Sequence, residues 1–336
     1  MSGKRNLREL VDAARTDVPV PIAIAAAHDP DVIEAMKAAE GIGLAKGIFV
    51  GDPRKIRTLA DAAGFRIPDE RVVSAPDDMA AAATAIALVR EGRANLLMKG
   101  KIKTASLIRA VLDKTAGLRG GRLLSQVIVF QVPGLDRLML MTDAAINIAP
   151  ALEQKADICR NAIEVAHAIG IQKPNLALLC ALETVNPEMP ATVDAASLTM
   201  MNRRGQISGA YLEGPIALDV PLSRFAADRK GIDSPLVEQT DIFVAPDIEA
   251  ANILYRAILY FAKGQSGGVV IGAQVPLILL SRAEPAETKI HSIAIALLVA
   301  RARAGGQAQA PKPAVQAKVE SRVEYPWPSY YPGERR

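Results

Sequence analysis

Short, continuously apolar runs alternate along this 336-residue chain with longer stretches whose apolar residues recur at helical spacing. Runs that are apolar at nearly every position are typical of strands buried on both faces, and such strands form parallel sheets covered by helices. The candidate strands lie at 22–26, 47–50, 95–98, 126–130, 138–141, 176–179, 209–212, 242–244, 268–271 and 277–280. We therefore predict an α/β fold with a mostly parallel sheet and helices on both of its faces.

Two dipeptides mark helix starts between these strands. Asp29-Pro30 and Asp52-Pro53 each place a carboxylate that can cap a helix before a proline that suits its first turn. A further helix is predicted from about residue 285 to residue 303, directly after the last strand. Strands separated by such helices are typical of a mostly parallel sheet with helices on both of its faces.

Composition excludes several classes of protein. The 40 Lys and Arg residues nearly balance 36 Asp and Glu residues, so the net charge of +4 leaves little room for a nucleic-acid-binding stripe. The two cysteines form no disulfide framework, and the three histidines have no zinc-ligand spacing with them. No apolar run reaches the roughly 18 residues that a membrane span requires. We expect a cytoplasmic protein that binds no nucleic acid, no membrane and no metal.

Ligands of such folds bind at the carboxyl ends of the strands, which draws attention to the residues that follow each strand. After the strand at 95–98, Lys99, Lys101 and Thr104 form part of a basic segment around Gly100. The lysines are candidates for binding substrate phosphates, and Thr104, which can cap the next helix, is a candidate for substrate or CoA binding with them. A solvated basic loop with no ligand explains the same residues.

A second polar group follows the strand at 138–141. Asp143 and Asn147 come between this apolar strand and Pro150, and Arg122 precedes the neighbouring strand and is expected to face the same cleft. These three residues are candidates for substrate binding. Ordinary turn formation explains Asp143 and Asn147 equally well.

The third candidate group lies between the last strand and the last helix. Ser281 and Arg282 end the strand beside a predicted helix N-terminus, where free N–H groups and the helix dipole favour an anion. The planar guanidinium of Arg282 matches a phosphate. Glu287 falls in the first helical turn, where it serves either as a catalytic base or only as a favourable charge near the helix start.

At this point four segments resemble the phosphate acetyl/butyryltransferases. They are KGKIKTASLIRAVLD, TDAAINIAP, SGAYLEGPIALD and GAQVPLILLSRAEPAETKIHSIAIA, and their order and spacing agree over residues 5–303. The second and fourth segments are more similar to the butyryltransferase-type branch. The resemblance implies an isocitrate/isopropylmalate dehydrogenase-like fold with two α/β domains and a cleft between them. It places residues 1–133 plus 270–303 in the first domain and 134–269 in an inserted second domain.

The implied reaction is acyl-CoA + phosphate ⇌ acyl phosphate + CoA, with an acetyl or short, butyryl-like acyl group. Coenzyme A would be a substrate, with no permanently bound cofactor, and the family usually forms homodimers. By resemblance, Arg282 neutralises the phosphate, Ser281 hydrogen-bonds the tetrahedral intermediate and Arg122 binds the anionic substrate. The acetyltransferase branch has an Asp as thiol base where this chain has Thr288. Glu287 is therefore the preferred base, with Glu284 or no base as alternatives.

Residues 304–336 have no counterpart in that family pattern. An Ala-, Gly-, Pro- and Gln-rich linker leads to the aromatic segment YPWPSYYP. We expect either a disordered tail or a docking segment for a protein partner. The tail and the missing Asp keep a second hypothesis open, namely an inactive relative that senses acyl phosphate or acts as a scaffold.

Overall fold

The computed structural model describes residues 6–279 and 285–307. Within them the strands are β1 Val20–Ala25, β2 Ala45–Gly51, β3 Val72–Ser74, β4 Leu96–Lys99, β5 Ser125–Gln131, β6 Met139–Thr142, β7 Asn175–Leu179, β8 Tyr211–Ile216, β9 Ile242–Val244, β10 Gln265–Ile271 and β11 Leu277–Ile278. The helices are α1 Leu7–Ala14, α2 Pro30–Gly41, α3 Pro53–Ala62, α4 Asp78–Arg90, α5 Thr104–Val111, α6 Leu152–Ala168, α7 Pro190–Arg203, α8 Arg224–Lys230, α9 Ile248–Tyr260 and α10 Ala286–Gln307. Two short 3-10 turns lie at Asp69–Arg71 and Val220–Leu222.

All these strands belong to one sheet, in the order β3-β2-β1-β4-β11-β10-β5-β6-β9-β7-β8. The pairs of β10 with β11, of β10 with β5 and of β5 with β6 are antiparallel, and the remaining pairs are parallel. The predicted mostly parallel sheet is therefore confirmed. The division into residues 1–133 plus 270–303 and 134–269 stays a prediction, and the sheet runs without interruption across it through the long β5–β10 pair.

Each predicted strand overlaps an observed one, with two differences. Strand β3 was not predicted, because three half-exposed residues at the edge of a sheet give no apolar run. Strand β8 lies at 211–216 rather than at 209–212 and contains Pro215. A proline is tolerated there because β8 is the other edge strand.

The helix starts follow the predicted capping in two cases and differ in a third. The side chains of Asp29 and Asp52 accept hydrogen bonds from backbone N–H groups in the first turns of α2 and α3. The expectation that Thr104 caps α5 is wrong, because Lys103 occupies the N-cap position and no side chain caps this helix. Helix α10 begins as expected but continues to Gln307, four residues beyond the predicted end.

One face of the sheet, the closed face, is covered by a single apolar cluster. The cluster combines strand residues with residues from α1, α2, α3, α6, α7 and α10, and it extends from Ile24 on β1 to Leu212 on β8. Alternate residues of the central strands, such as Val127 and Val129 on β5, point into it. Because the cluster is continuous, the closed face leaves no gap between the two halves of the sheet.

The opposite face, the open face, carries two separate apolar clusters. One is built from α4, α5 and the strands around β4, and the other from α8, α9 and the strands around β6. The half-buried residues Lys99, Gln126 and Gly268, on β4, β5 and β10, lie between them. We call these three residues the seam. The seam is the floor of a cleft between two helical layers, and it lies at the centre of the sheet.

No helix among residues 6–279 and 285–307 combines the length and the apolar character needed to cross a membrane.

Candidate functional site

A cavity of about 580 Å³ lies near the seam, between α5 and the segments around residues 119–124 and 146–157. Its apolar lining includes Ile108, Leu112 and Ile146, and its basic lining includes Arg119 and Arg122. A site with apolar walls and a few charged groups suits a ligand that has an apolar part and an anionic part.

Asp143 organises the loop that closes one side of this cavity. It follows β6, and the Thr142–Asp143 peptide bond is cis. The carboxylate accepts backbone N–H hydrogen bonds from Gln126, Ala145, Ile146 and Asn147 at 3.1–3.2 Å. Burial raises the pKa of Asp143 above its usual value, although these hydrogen bonds act in the opposite direction. Asp143 is thus a structural anchor behind the cavity wall.

Asn147 connects that loop to the start of β5. Its Nδ2 donates to Asp143 Oδ2 at 2.6 Å and to the carbonyl of Leu124 at 2.8 Å. Asn147 and Arg122 line the same cavity, so the structure brings together the candidates from this part of the sequence.

Arg122 belongs to a cluster with two guanidinium groups and one carboxylate. It donates to Glu164, whose other oxygen accepts from Arg303 Nε at 2.6 Å. Burial alone would raise the pKa of Glu164, but the hydrogen bonds and charges of Arg303 and Arg122 outweigh it, and the pKa is lowered. These three charges sum to one positive charge, whereas the cavity lining itself combines Arg119 and Arg122 with the carboxylates of Glu153 and Asp157.

The basic segment after β4 lies at the other end of the seam. Lys99 Nζ donates to the carbonyls of Gly100 and Ile102 at 2.9 and 3.3 Å, while Lys101 and Thr104 are exposed. None of these three residues lines the cavity of Arg122. The structure therefore brings Lys99 to the cleft floor and leaves Lys101 and Thr104 at its margin.

Ser281, Arg282 and Glu284 lie outside the described residues. The chain reaches them from β11, which is paired with β4 and β10, the strands that carry Lys99 and Gly268.

Glu287 is described and lies elsewhere. It lines a cavity of about 640 Å³ between α1 and α10, on the side of the closed face, together with Arg8 and His291. Its Oε2 accepts from Gln265 Nε2 at 3.3 Å. The structure does not bring Glu287 together with Arg122 and Asn147.

Sequence reasoning missed two residues of the seam. Gln126 occurs in an apolar strand and Gly268 in a run of glycines that we would otherwise assign to a tight connection. Only the strand register places them on the same face of neighbouring strands. Their half-buried state in the middle of a sheet is the signal that identifies them.

Within residues 6–279 and 285–307, no three His, Cys, Asp or Glu side chains are grouped so that they could hold a metal ion.

Comparison with known proteins identifies the family. A family model described as Phosphate acetyl/butaryl transferase matches residues 69–297. The chain is 42% identical over 296 residues to phosphate butyryltransferase of Clostridium acetobutylicum, covering 88% of this chain and 98% of the relative. It is 39% identical over 294 residues to phosphate acetyltransferase of Thermotoga maritima, covering 88% and 99%.

A solved structure of a related enzyme has a similar fold. A branched-chain phosphotransacylase from Enterococcus faecalis V583 is 31% identical and superimposes with a TM-score of 0.72, over 84% of this chain and 99% of that one. This likeness confirms the fold class that the sequence implied. The family model and the identities confirm the resemblance noted in the four sequence segments. The chain belongs to the phosphate acetyl/butyryl transferase family of acyltransferases.

Proposed function

We propose that this chain catalyses acyl-CoA + phosphate ⇌ acyl phosphate + CoA, with an acetyl or short, butyryl-like acyl group. The observation that supports it best is the cavity beside the seam, which combines Arg119 and Arg122 with apolar side chains such as Ile108. Acyl phosphates carry an anionic and an apolar part, which match the arginines and the apolar side chains of this lining; Glu153 and Asp157 also belong to it. By name, two relatives transfer butyryl and acetyl groups, and the similar solved structure is a branched-chain phosphotransacylase.

In the proposed mechanism the CoA thiolate attacks the carbonyl carbon of the acyl phosphate directly. The new C–S bond forms, the C–O bond to phosphate breaks, and phosphate leaves with its electron pair. A free thiol has a pKa of about 8.5, so a nearby base accelerates the reaction at neutral pH. The tetrahedral oxyanion requires hydrogen-bond donors. No covalent enzyme intermediate is part of this mechanism.

We assign Arg282 to the phosphate and Ser281 to the tetrahedral intermediate, on the basis of the family pattern. Arg122 and Lys99 supply positive charge at two points of the cleft, Lys101 and Thr104 extend the binding surface at its margin, and Asp143 and Asn147 hold the cavity wall. Glu287, Glu284 and no base at all remain the alternatives for the thiol base. We further propose that the protein is a cytoplasmic homodimer that uses coenzyme A only as a substrate.

The test is phosphate-dependent release of free CoA thiol from a series of substrates from acetyl-CoA to hexanoyl-CoA. Release that requires phosphate, with a maximum at a short acyl chain, supports the proposal. Arg282→Ala should lose at least about 100-fold in kcat/KM, as expected when a principal charge-stabilising group is removed. Folded protein that releases no CoA from any of these substrates would instead favour a sensor or scaffold.

A further inference from the structure

Two adjacent glycines of β10 have opposite surroundings. A Cβ on Gly267 would lie 2.7–2.8 Å from His291 and the Ser292 nitrogen on α10, so close helix packing on the closed face requires a glycine there. A Cβ on Gly268 would meet nothing closer than Gln126 Nε2, at 3.4 Å, which is an ordinary contact. Packing therefore explains the absence of a side chain at residue 267 and does not explain it at residue 268.

A glycine in the interior of a strand destabilises it relative to Ala, and it often marks a place where a ligand approaches the backbone. Gly268 has no positive φ that would otherwise require glycine. It lies in the cleft floor and is half-buried rather than covered by a helix. The space next to Gly268 on the open face of the sheet is therefore available to a substrate.

Gln126 lies beside this space. Its backbone N–H is held by Asp143 Oδ1 at 3.2 Å, which fixes the residue. Its side-chain amide has no hydrogen-bond partner among residues 6–279 and 285–307, although the residue is half-buried. A neutral amide held at a cleft floor with no partner in the described part of the chain is available to donate to a ligand oxygen.

The surroundings indicate which part of a ligand fits. The cross-strand partners of Gly268 and Gln126 are Ile128 and Val270, which are buried and apolar. Lys99, the cation of the seam, already donates to carbonyls of its own loop. A carbonyl with an apolar chain matches one neutral donor in an apolar floor better than a phosphate does.

We propose that Gln126 and Gly268 form the acyl-binding position of this enzyme: the Gln126 amide donates to the acyl carbonyl oxygen, and the acyl chain passes over Gly268. This inference rests on the proposed acyltransferase activity. Residue 268 then determines which acyl-chain lengths the enzyme accepts, because each side-chain atom added there occupies space that the acyl chain of the substrate would use.

The experiment compares full-length wild type with Gly268→Ala, Gln126→Leu and, as a control, Gly41→Ala on α2, whose Cβ would meet nothing within 4 Å. Melting temperature and kcat/KM are measured for acetyl-, butyryl- and hexanoyl-CoA. We expect Gly268→Ala to keep its melting temperature and to lose about tenfold or more with butyryl- and hexanoyl-CoA, but much less with acetyl-CoA. Gln126→Leu should lose about tenfold or more with all three, and Gly41→Ala should change nothing.

Equal losses with every chain length in Gly268→Ala, or full activity in either seam variant, would overturn the inference. These outcomes are distinct from failure of the proposed function, in which wild type itself releases no CoA in response to phosphate. A lower melting temperature in Gly268→Ala would mean that packing requires this glycine after all, and it would equally remove the basis of the inference.

Discussion

Asn147 Nδ2 lies 2.6 Å from Asp143 Oδ2, and the pair joins the loop after β6 to the start of β5. The other carboxylate oxygen, Oδ1, accepts from the backbone of Gln126, Ala145 and Ile146. Two chain segments at the cavity therefore depend on one buried carboxylate.

Replacing Asp143 should destabilise the protein, and Ala should destabilise it more than Asn. Asp143→Asn can keep the contacts of Oδ1 but loses an acceptor for Asn147, which costs about 1–3 kcal/mol. Asp143→Ala leaves several buried N–H groups without acceptors, and we expect a loss above about 3 kcal/mol in the free energy of unfolding. Urea unfolding measures both, with Asp233→Ala at an exposed position as control. Similar stabilities for the Ala and Asn variants would contradict this role.

The Arg122–Glu164–Arg303 cluster should make stability depend on pH. The pKa of Glu164 is lowered in the folded protein, so its contribution is present above the unfolded value of 4.5 and disappears as the pH falls through the folded pKa. Glu164→Gln should lower the free energy of unfolding by about 1–3 kcal/mol at pH 7 and reduce the loss of stability below pH 4.5. Unfolding curves at both pH values test this. Exposed Glu188→Gln is the matched control, and a pH dependence that is the same in both variants would refute the prediction.

The position of Glu287 leads to a prediction about the thiol base. Loss of a general base typically costs about 100-fold or more in rate. Because Glu287 opens into the cavity between α1 and α10, we expect Glu287→Gln to lose much less than that and Glu284→Gln to lose more. The measurement is the pH profile of kcat for both variants. A 100-fold loss confined to Glu287→Gln would establish the assignment made from sequence.

Lys289 and Asp31 join the first turns of α10 and α2 at 2.8 Å, and the Lys289 side chain is only 6% exposed. Removing only the carboxylate leaves a buried ammonium without it, so Asp31→Ala should cost about 1–3 kcal/mol, the half-exposed Asp limiting the effect. The double variant Asp31→Ala/Lys289→Met should be more stable than Asp31→Ala. A double-mutant cycle in urea measures the coupling, and additive single effects would exclude it.

Sequence patterns predicted the architecture well because a central strand that is buried on both faces is apolar at nearly every position. The runs at β1, β4 and β5 are apolar wherever helices cover them. At the sheet edges this relation weakens. Strand β3 is short and half-exposed, and β8 contains Gly214 and Pro215, so neither has the pattern of a buried strand.

The site was harder to predict, for a physical reason. Charged residues after strands attract attention, and Arg122 and Asn147 do line one cavity. Gln126 and Gly268 carry no such signal, since their significance arises from the pairing of β5 with β10, which makes residues 142 positions apart neighbours on one face of the sheet. Thr104 is not a cap because it is already the first residue of α5, and Lys103 occupies the N-cap position.

The continuous cluster on the closed face also affects how the chain folds. Helices α1, α2 and α10, from the predicted first domain, share that cluster with α6 and α7, from the predicted inserted domain, so neither segment has a complete core without the other. Folding should then be cooperative over the whole body, and calorimetry should record one unfolding transition rather than two. The cleft between the two helical layers is, in this sense, a groove in one folding unit and not a gap between two.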